Sequence, residues 1–170
     1  LGAAFSNGGV VLPTEIGNTT NWTSGLLTNF NIINDGTFLI LEDIISGTGI
    51  SKLYKALSGE IISAEEVIKR FDKHEKNAED VINGFIKSLA HVLSDLALAY
   101  VPGNGIYLAG GLSRTLASLI NHESFEIEFL ANKSSIHKDL LKNIKIGVIT
   151  REHTCLYGNL NYFNFINKNN

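Results

Sequence analysis

The sequence predicts an α/β fold, a mixed sheet with helices packed on it. Three observations carry that expectation. A strand-like run, Ile106 to Ala109, stops at Gly110-Gly111 and gives way at once to a helix-like segment. A long amphipathic stretch, from about Ala78 to Tyr100, precedes it, and a further strand candidate, Ile144 to Ile149, follows. The chain also opens on two apolar runs separated by Ser6-Asn7-Gly8-Gly9. Strands interleaved with helices are the pattern of layered α/β structure. The crossover from Ile106 to Ile149 is expected to be parallel and right-handed.

Each element has a local reason. Leu1 to Phe5 and Val10 to Leu12 flank Asn7-Gly8-Gly9, residue types that suit a hairpin turn. Pro13 to Gly25 is polar and glycine-punctuated and reads as a loop. Phe38 to Gly49 is an apolar run carrying Glu42 and Asp43 and closed by Gly47 and Gly49. A helix then begins, capped by Ser46 or Thr48, with Ile50, Leu53, Tyr54 and Leu57 on one side. Ser63 to Glu66 matches a capping box ahead of Val67, Ile68 and Phe71.

The strongest helix signal runs from Ala78 to Tyr100. Val81, Ile82, Phe85, Ile86, Leu89, Val92, Leu93, Leu96 and Ala97 recur at three-four spacing, so a broad face is buried. Pro102 to Gly105 stops it. After Gly111 a helix carries Leu112, Leu116, Leu119 and Ile120. A polar connection, a short helix near Ile136 to Leu141 and the strand to Ile149 follow. A last amphipathic helix holds Leu156, Tyr157, Leu160, Phe163 and Ile166, and the tail Asn167 to Asn170 is expected to be disordered.

Composition narrows the function. The 170 residues are 44% hydrophobic and 18% charged, enough for an ordinary domain with a real core. Net charge is −3, and Lys52, Lys55, Lys69, Lys73, Lys87 and Lys142 are spread along the chain, which argues against a nucleic-acid partner. A single cysteine, Cys155, excludes an internal disulfide and a cysteine-rich zinc site and is expected to be structural. The five histidines share no metal-ligand spacing, so no metal site is expected in this chain. No uninterrupted apolar run reaches the roughly 20 residues of a membrane span, and the start lacks a signal-peptide layout. A cytoplasmic protein with no membrane partner is the expectation. Leu1 opens inside a strand-like run, so a fragment lacking an amino-terminal part is also expected.

Four stretches offer chemistry. Leu108-Ala109-Gly110-Gly111-Leu112-Ser113 either lets a nucleotide cross bare backbone or is a glycine turn for tight strand–helix packing. It lacks the full dinucleotide fingerprint and the phosphate-loop lysine. Pro13-Thr14-Glu15-Ile16-Gly17-Asn18 places an acid and an amide around a glycine, a set able to clasp hydroxyls, or is a plain solvated loop. Glu42, an acid in an apolar run, is a ligand candidate or the exposed face of an edge strand. The opening Leu1-Gly2-Ala3-Ala4 gains meaning only from what precedes it. Trp22 suits sugar stacking or a loop anchor, and His91 reads as a core or surface histidine.

The order of these stretches carries a resemblance. "LGAAF" resembles the end of a second phosphate hairpin, and "LPTEIGN" a Glu-Gly-Gly-His sugar loop. "EDIISGTGISKLY" resembles a Glu-Arg-x-Leu-Ser-Gly-x-Gly-Leu-x-x-Leu-Tyr segment, "IYLAGGLS" an adenosine motif, and "EHTCLYGNLNYF" a closing helix. Together they resemble the carboxyl-terminal large lobe of bacterial ATP-dependent glucokinases, in the hexokinase and actin-like ATPase superfamily.

The resemblance implies a ribonuclease H-like, actin-like lobe over residues 1–153. A closing helix at 154–166 would pack toward a small lobe absent from this chain. It implies that Glu15, Asn18 and Glu42 bind glucose or a similar hexose, and that Gly2, Gly110 and Gly111 bind ATP, with Mg2+ as cofactor. Transfer of the γ-phosphoryl group to the 6-hydroxyl of glucose, the entry step of glycolysis, would then be the reaction of the whole protein. The catalytic aspartate and first phosphate loop would lie upstream of Leu1, leaving this chain alone inactive. Asn18 stands where the family has histidine, which keeps another hexose or an amino sugar open as substrate, as well as a non-catalytic sugar-binding module. Without the small lobe, some of Leu156, Leu160 and Phe163 would be exposed or buried against a second copy in a homodimer.

Overall fold

The computed structural model describes residues 3–7 and 10–169. The chain forms two compact units, Leu1–Leu96 with Asn121–Asn132, and Ala97–Ile120 with Lys133–Asn170.

The first unit opens on the expected hairpin. Strands β1 (Ala3–Asn7) and β2 (Val10–Thr14) pair antiparallel, Ala3 opposite Thr14 and Asn7 opposite Val10. The Gly8-Gly9 turn itself lies outside the described residues. Val10, Val11 and Leu12 are exposed, so both faces of β2 are open. The segment read as loop, Pro13 to Gly25, holds a 3-10 turn at Ile16–Asn18 and the start of α1 (Thr23–Leu27), and a second 3-10 turn, Thr28–Phe30, follows it. Leu26, Leu27 and Phe30 explain the difference, because all three are buried and anchor a stretch whose polar residues suggested solvent.

A third 3-10 turn, Leu41–Asp43, leads into α2 (Gly47–Ser58), and α3 (Ala64–Phe71) and α4 (Lys76–Tyr100) follow. Both predicted caps form. Ser46 accepts from the Gly49 amide and Ser63 from the Glu66 amide. The core gathers Ala78, Val81, Ile82, Phe85 and Leu93 of α4 with Leu27, Phe30, Leu41, Ile44, Ile50, Leu53 and Val67. Each such side chain contributes roughly 1.5–3 kcal/mol by leaving water. A lone glycine inside α4 fits this packing: a β-carbon on Gly84 would stand 2.6 Å from the Phe30 ring.

By length and composition α4 is apolar enough to cross a bilayer, although charged residues interrupt its apolar run. Of its most apolar stretch, 61% is buried within the protein, as in the core helix of a soluble fold. A polar network fixes its start. Tyr54 donates its hydroxyl hydrogen to Glu75 at 3.0 Å and accepts from Arg70 at 2.6 Å, and Arg70 also reaches Glu60. The same Glu75 carboxylate accepts from the amides of Asn77 and Ala78 at the helix start.

The region read as a polar connection contains another helix, α6 (His122–Phe129), capped by the Asn121 side chain on the Ser124 amide. Alternation of Phe, Glu and Ile in that stretch hid the helical period. Glu128 of α6 meets Lys87 at 3.1 Å and His91 at 3.0 Å, so His91 is a packed, hydrogen-bonded histidine. Burial opposes ionisation of Glu128, yet the hydrogen bonds from Lys87 and His91 hold its carboxyl below the ordinary glutamate value. A lowered native value stabilises the fold above the unfolded value and is lost as pH falls through the native one. Glu128→Gln is therefore expected to lower the urea midpoint at pH 7. The gap to wild type should narrow as pH falls below about 4.3, the ordinary glutamate value. A gap independent of pH would contradict this.

The second unit contains β3 (Ile106–Leu108) and β4 (Ile146–Val148), parallel as expected, with Ile106 opposite Ile146. Gly105 makes the start of β3 possible. Its φ is +94°, and a β-carbon there would lie 2.5 Å from the Lys145 carbonyl oxygen, which accepts the Ile106 amide hydrogen. Helices α5 (Gly111–Ala117), α7 (Ser135–Lys142) and α8 (Thr154–Asn169) complete the unit.

Two expectations need correction. Among the described residues the strands form two separate two-stranded sheets rather than one mixed sheet. The apolar run at 38–49, the natural further strand, is unavailable for pairing because Asp43 takes the amides of Leu39 and Ile40. The predicted disordered tail is helical as far as Asn169. The side chain of Cys155 lies outside the described residues. Leu156, Leu160 and Phe163 of α8 are exposed.

Candidate functional site

Two of the predicted stretches meet in the first unit. Glu15 leads into the 3-10 turn at Ile16–Asn18, whose middle residue, Gly17, is buried. The turn closes when the Asn18 amide donates to the Glu15 carbonyl at 3.0 Å. Its side chains close as well: the Asn18 amide nitrogen donates to Glu15 Oε2 at 2.8 Å. Acid and amide thus form one exposed pair, presenting acceptor and donor atoms side by side.

Thr19 joins this loop to the next one. Its hydroxyl donates to the Ile16 carbonyl at 2.7 Å, and its own carbonyl accepts from the Leu41 amide at 2.8 Å. Leu41 begins the turn that carries Glu42, so one backbone hydrogen bond brings the two predicted carboxylate loops together. Glu42 is exposed on that turn while Leu41 and Ile44 on either side are buried. The edge-strand reading of Glu42 is excluded, because Leu41–Asp43 is a 3-10 turn.

The neighbouring acid was overlooked at the sequence level. Asp43 accepts from the amides of Leu39 at 2.8 Å and Ile40 at 3.0 Å and pairs with Lys52 of α2. Its side chain is 15% exposed. Burial pushes its carboxyl up, but the Lys52 ammonium and the two amides outweigh burial and hold it below the usual aspartate value. The usable signal was an acid closing a turn, followed nine residues on by a helical lysine. Ser46 adds a further tie, donating its hydroxyl hydrogen to the Glu42 carbonyl at 2.7 Å.

The glycine pair lies in the second unit. Gly110 caps α5 with φ +115° and ψ 169°, a conformation essentially confined to glycine. Nothing lies within 4 Å of a β-carbon built there, and at Gly111 the nearest atom is Arg114 Nη2 at 4.0 Å. Tight strand–helix packing therefore does not account for this pair. Backbone conformation explains Gly110, which open space overlies, while the end of the Arg114 side chain approaches Gly111. Gly2, the third predicted nucleotide contact, lies outside the described residues. Trp22 is half-buried at the start of α1. A separate cleft of about 520 Å3, lined by residues including Asn31, Asp35, Thr37, Lys52 and Lys55, contains none of the predicted site residues.

Comparison with known proteins decides what this arrangement belongs to. The family model described as Glucokinase matches residues 10–164. The chain belongs to the glucokinase family. N-acetyl-D-glucosamine kinases and glucokinases are among its relatives. An N-acetyl-D-glucosamine kinase of Mannheimia succiniciproducens is 33% identical over 116 residues, covering 68% of this chain and 34% of the relative. An N-acetyl-D-glucosamine kinase of Haemophilus influenzae is 36% identical over 78 residues, covering 46% of this chain and 25% of the relative. A glucokinase of Agrobacterium fabrum is 27% identical over 128 residues, covering 71% of this chain and 37% of the relative. This glucokinase-family chain thus spans about a third of the length of relatives that it matches over two thirds of its own. Sugar kinases, as a class, are what its relatives are.

Proposed function

We propose that the whole protein transfers the γ-phosphoryl group of ATP to the 6-hydroxyl of a hexose, with glucose as the first substrate. The observation that carries this reading is the Thr19–Leu41 backbone bond. It joins the loop of Glu15 and Asn18 to the turn that carries Glu42, in a chain of the glucokinase family. Carboxylates accept from two hydroxyls each, and an amide both donates and accepts, so this set suits a vicinal polyol.

In the reaction, the sugar oxygen forms a bond to the γ-phosphorus as the bond to the β-bridging oxygen breaks. ADP leaves, and the hydroxyl proton passes to a base. We assign that base to a residue outside this chain, so the chain alone is proposed to be inactive. The role given to these residues is to hold the sugar and fix which hydroxyl points at the phosphate. Gly110 and Gly111 fit the adenosine part of ATP, because the space over Gly110 is open and only the flexible end of Arg114 approaches Gly111. Mg2+ would arrive on the phosphates. Among the described residues no cluster of three or more acids, histidines or cysteines forms a protein cage for it, and no step is assigned to it. A cytoplasmic setting accords with a substrate of this kind.

A second reading has its own support. The relatives at 33% and 36% identity are named N-acetyl-D-glucosamine kinases, and Asn18 replaces the expected histidine. Coupled ADP release by the whole protein, with ATP, Mg2+ and a panel including glucose and N-acetylglucosamine, separates the two. Turnover with glucose supports the first reading. Turnover confined to the acetylated sugar makes the second correct. A folded protein that turns over no sugar would overturn both in favour of a sugar-binding module.

A further inference from the structure

We infer that Asp43 is a positioning residue for sugar recognition, acting through Glu42 and held in place by Lys52. The inference rests on the proposed sugar site and extends it to a pair of residues that touch no substrate.

The geometry is specific. Glu42 sits in the middle of a one-turn 3-10 element flanked by the buried Leu41 and Ile44. Three ties surround it. The Leu41 amide is fixed to Thr19, the Glu42 carbonyl is fixed by Ser46, and Asp43 gathers the two amides that enter the turn. The third tie alone is charged, and it reaches α2 through Lys52, where the second reaches it through the Ser46 cap. The first tie fixes the distance to the Glu15 loop, and the third fixes the direction from which the chain enters the Glu42 turn. Loss of the third leaves the Glu42 turn tethered at both flanks but with the direction of its entry no longer fixed. That predicts misdirection of one carboxylate rather than collapse of the unit.

The division of labour between the two Asp43 oxygens supplies the test. Oδ2 takes both amides and Oδ1 takes Lys52. An asparagine keeps an acceptor for the amides but turns an amide nitrogen toward the Lys52 ammonium, setting donor against donor. Replacing Lys52 by methionine removes that conflict.

The experiment measures KM for hexose and for ATP in the whole protein, with thermal unfolding run in parallel. Asp43→Asn is expected to raise the hexose KM about tenfold with the ATP KM unchanged. The double variant Asp43→Asn with Lys52→Met is expected to return the hexose KM to within about twofold of wild type. A merely structural role would lower the unfolding temperature and leave the hexose KM alone, or move both KM values together. Either result would overturn the inference, as would an unrescued double variant. If Asp43→Asn does not fold, Lys52→Met alone serves, with a smaller rise in hexose KM expected and no change overturning the inference. Wild-type protein that turns over no sugar would overturn the underlying site, and this inference with it. That outcome is distinguishable, because wild type fails before any variant is compared.

Discussion

Gly49→Ala is expected to destabilise the first unit by about 3 kcal/mol, an unusual cost for one methyl group. A β-carbon on Gly49 would stand 2.4 Å from the Ile44 carbonyl oxygen and 2.7 Å from its carbon. Both atoms are backbone, so no side-chain rotation relieves the clash; the turn or the helix must move. Helix α2 buries Ile50, Leu53 and Tyr54 immediately beyond, so the helix resists. The turn then moves, and Ser46, which accepts from the Gly49 amide and donates to the Glu42 carbonyl, moves with it. Gly47→Ala is the control, since nothing lies within 4 Å of a β-carbon there. Chemical denaturation of the two variants checks the prediction. Equal midpoints would contradict it.

Glu42→Gln is expected to raise the hexose KM of the whole protein by roughly ten- to a hundredfold, the worth of a hydrogen bond to a charged group. The exchange keeps size and one acceptor oxygen but removes the negative charge and turns an acceptor into a donor. Glu42 is exposed, so the same change should leave the unfolding midpoint nearly where it was. The ATP KM should also hold, because Gly110 and Gly111, assigned to the nucleotide, are in the other unit. A fall in stability with no change in hexose KM would assign Glu42 to the fold instead.

Local physics made much of this legible from the sequence. Ser46 and Ser63 announced two helix starts because capping needs a short side-chain oxygen at a defined offset. The period in α4 announced a buried helix because its apolar face is broad. Glu15, Asn18 and Glu42 stood out as polar groups where turn or apolar residues were expected, and the first unit does bring their loops together. What stayed hidden depends on contacts distant in sequence. The Thr19–Leu41 bond spans two loops, and backbone groups carry no sequence signal. Asp43 looked like a second acid beside Glu42, and only its partners show that it faces inward. Helix α6 was missed because its Phe-Glu-Ile-Glu-Phe run alternates, and the long-range pairing of Glu128 with α4 overrides that pattern. The glycines at 110 and 111 were read either way, until the space around them showed that packing does not demand both.

The measurement that tests the central claim most directly is a hexose titration of isotopically labelled whole protein, following individual amide resonances. On this account the Asn18 side-chain amide, bonded to Glu15 at 2.8 Å, and the backbone amides of Leu41 and Glu42 shift together. They should saturate with one affinity and with a sugar that supports turnover. Saturable shifts elsewhere, with these three signals unmoved while turnover persists, would place the sugar at another site and contradict the account.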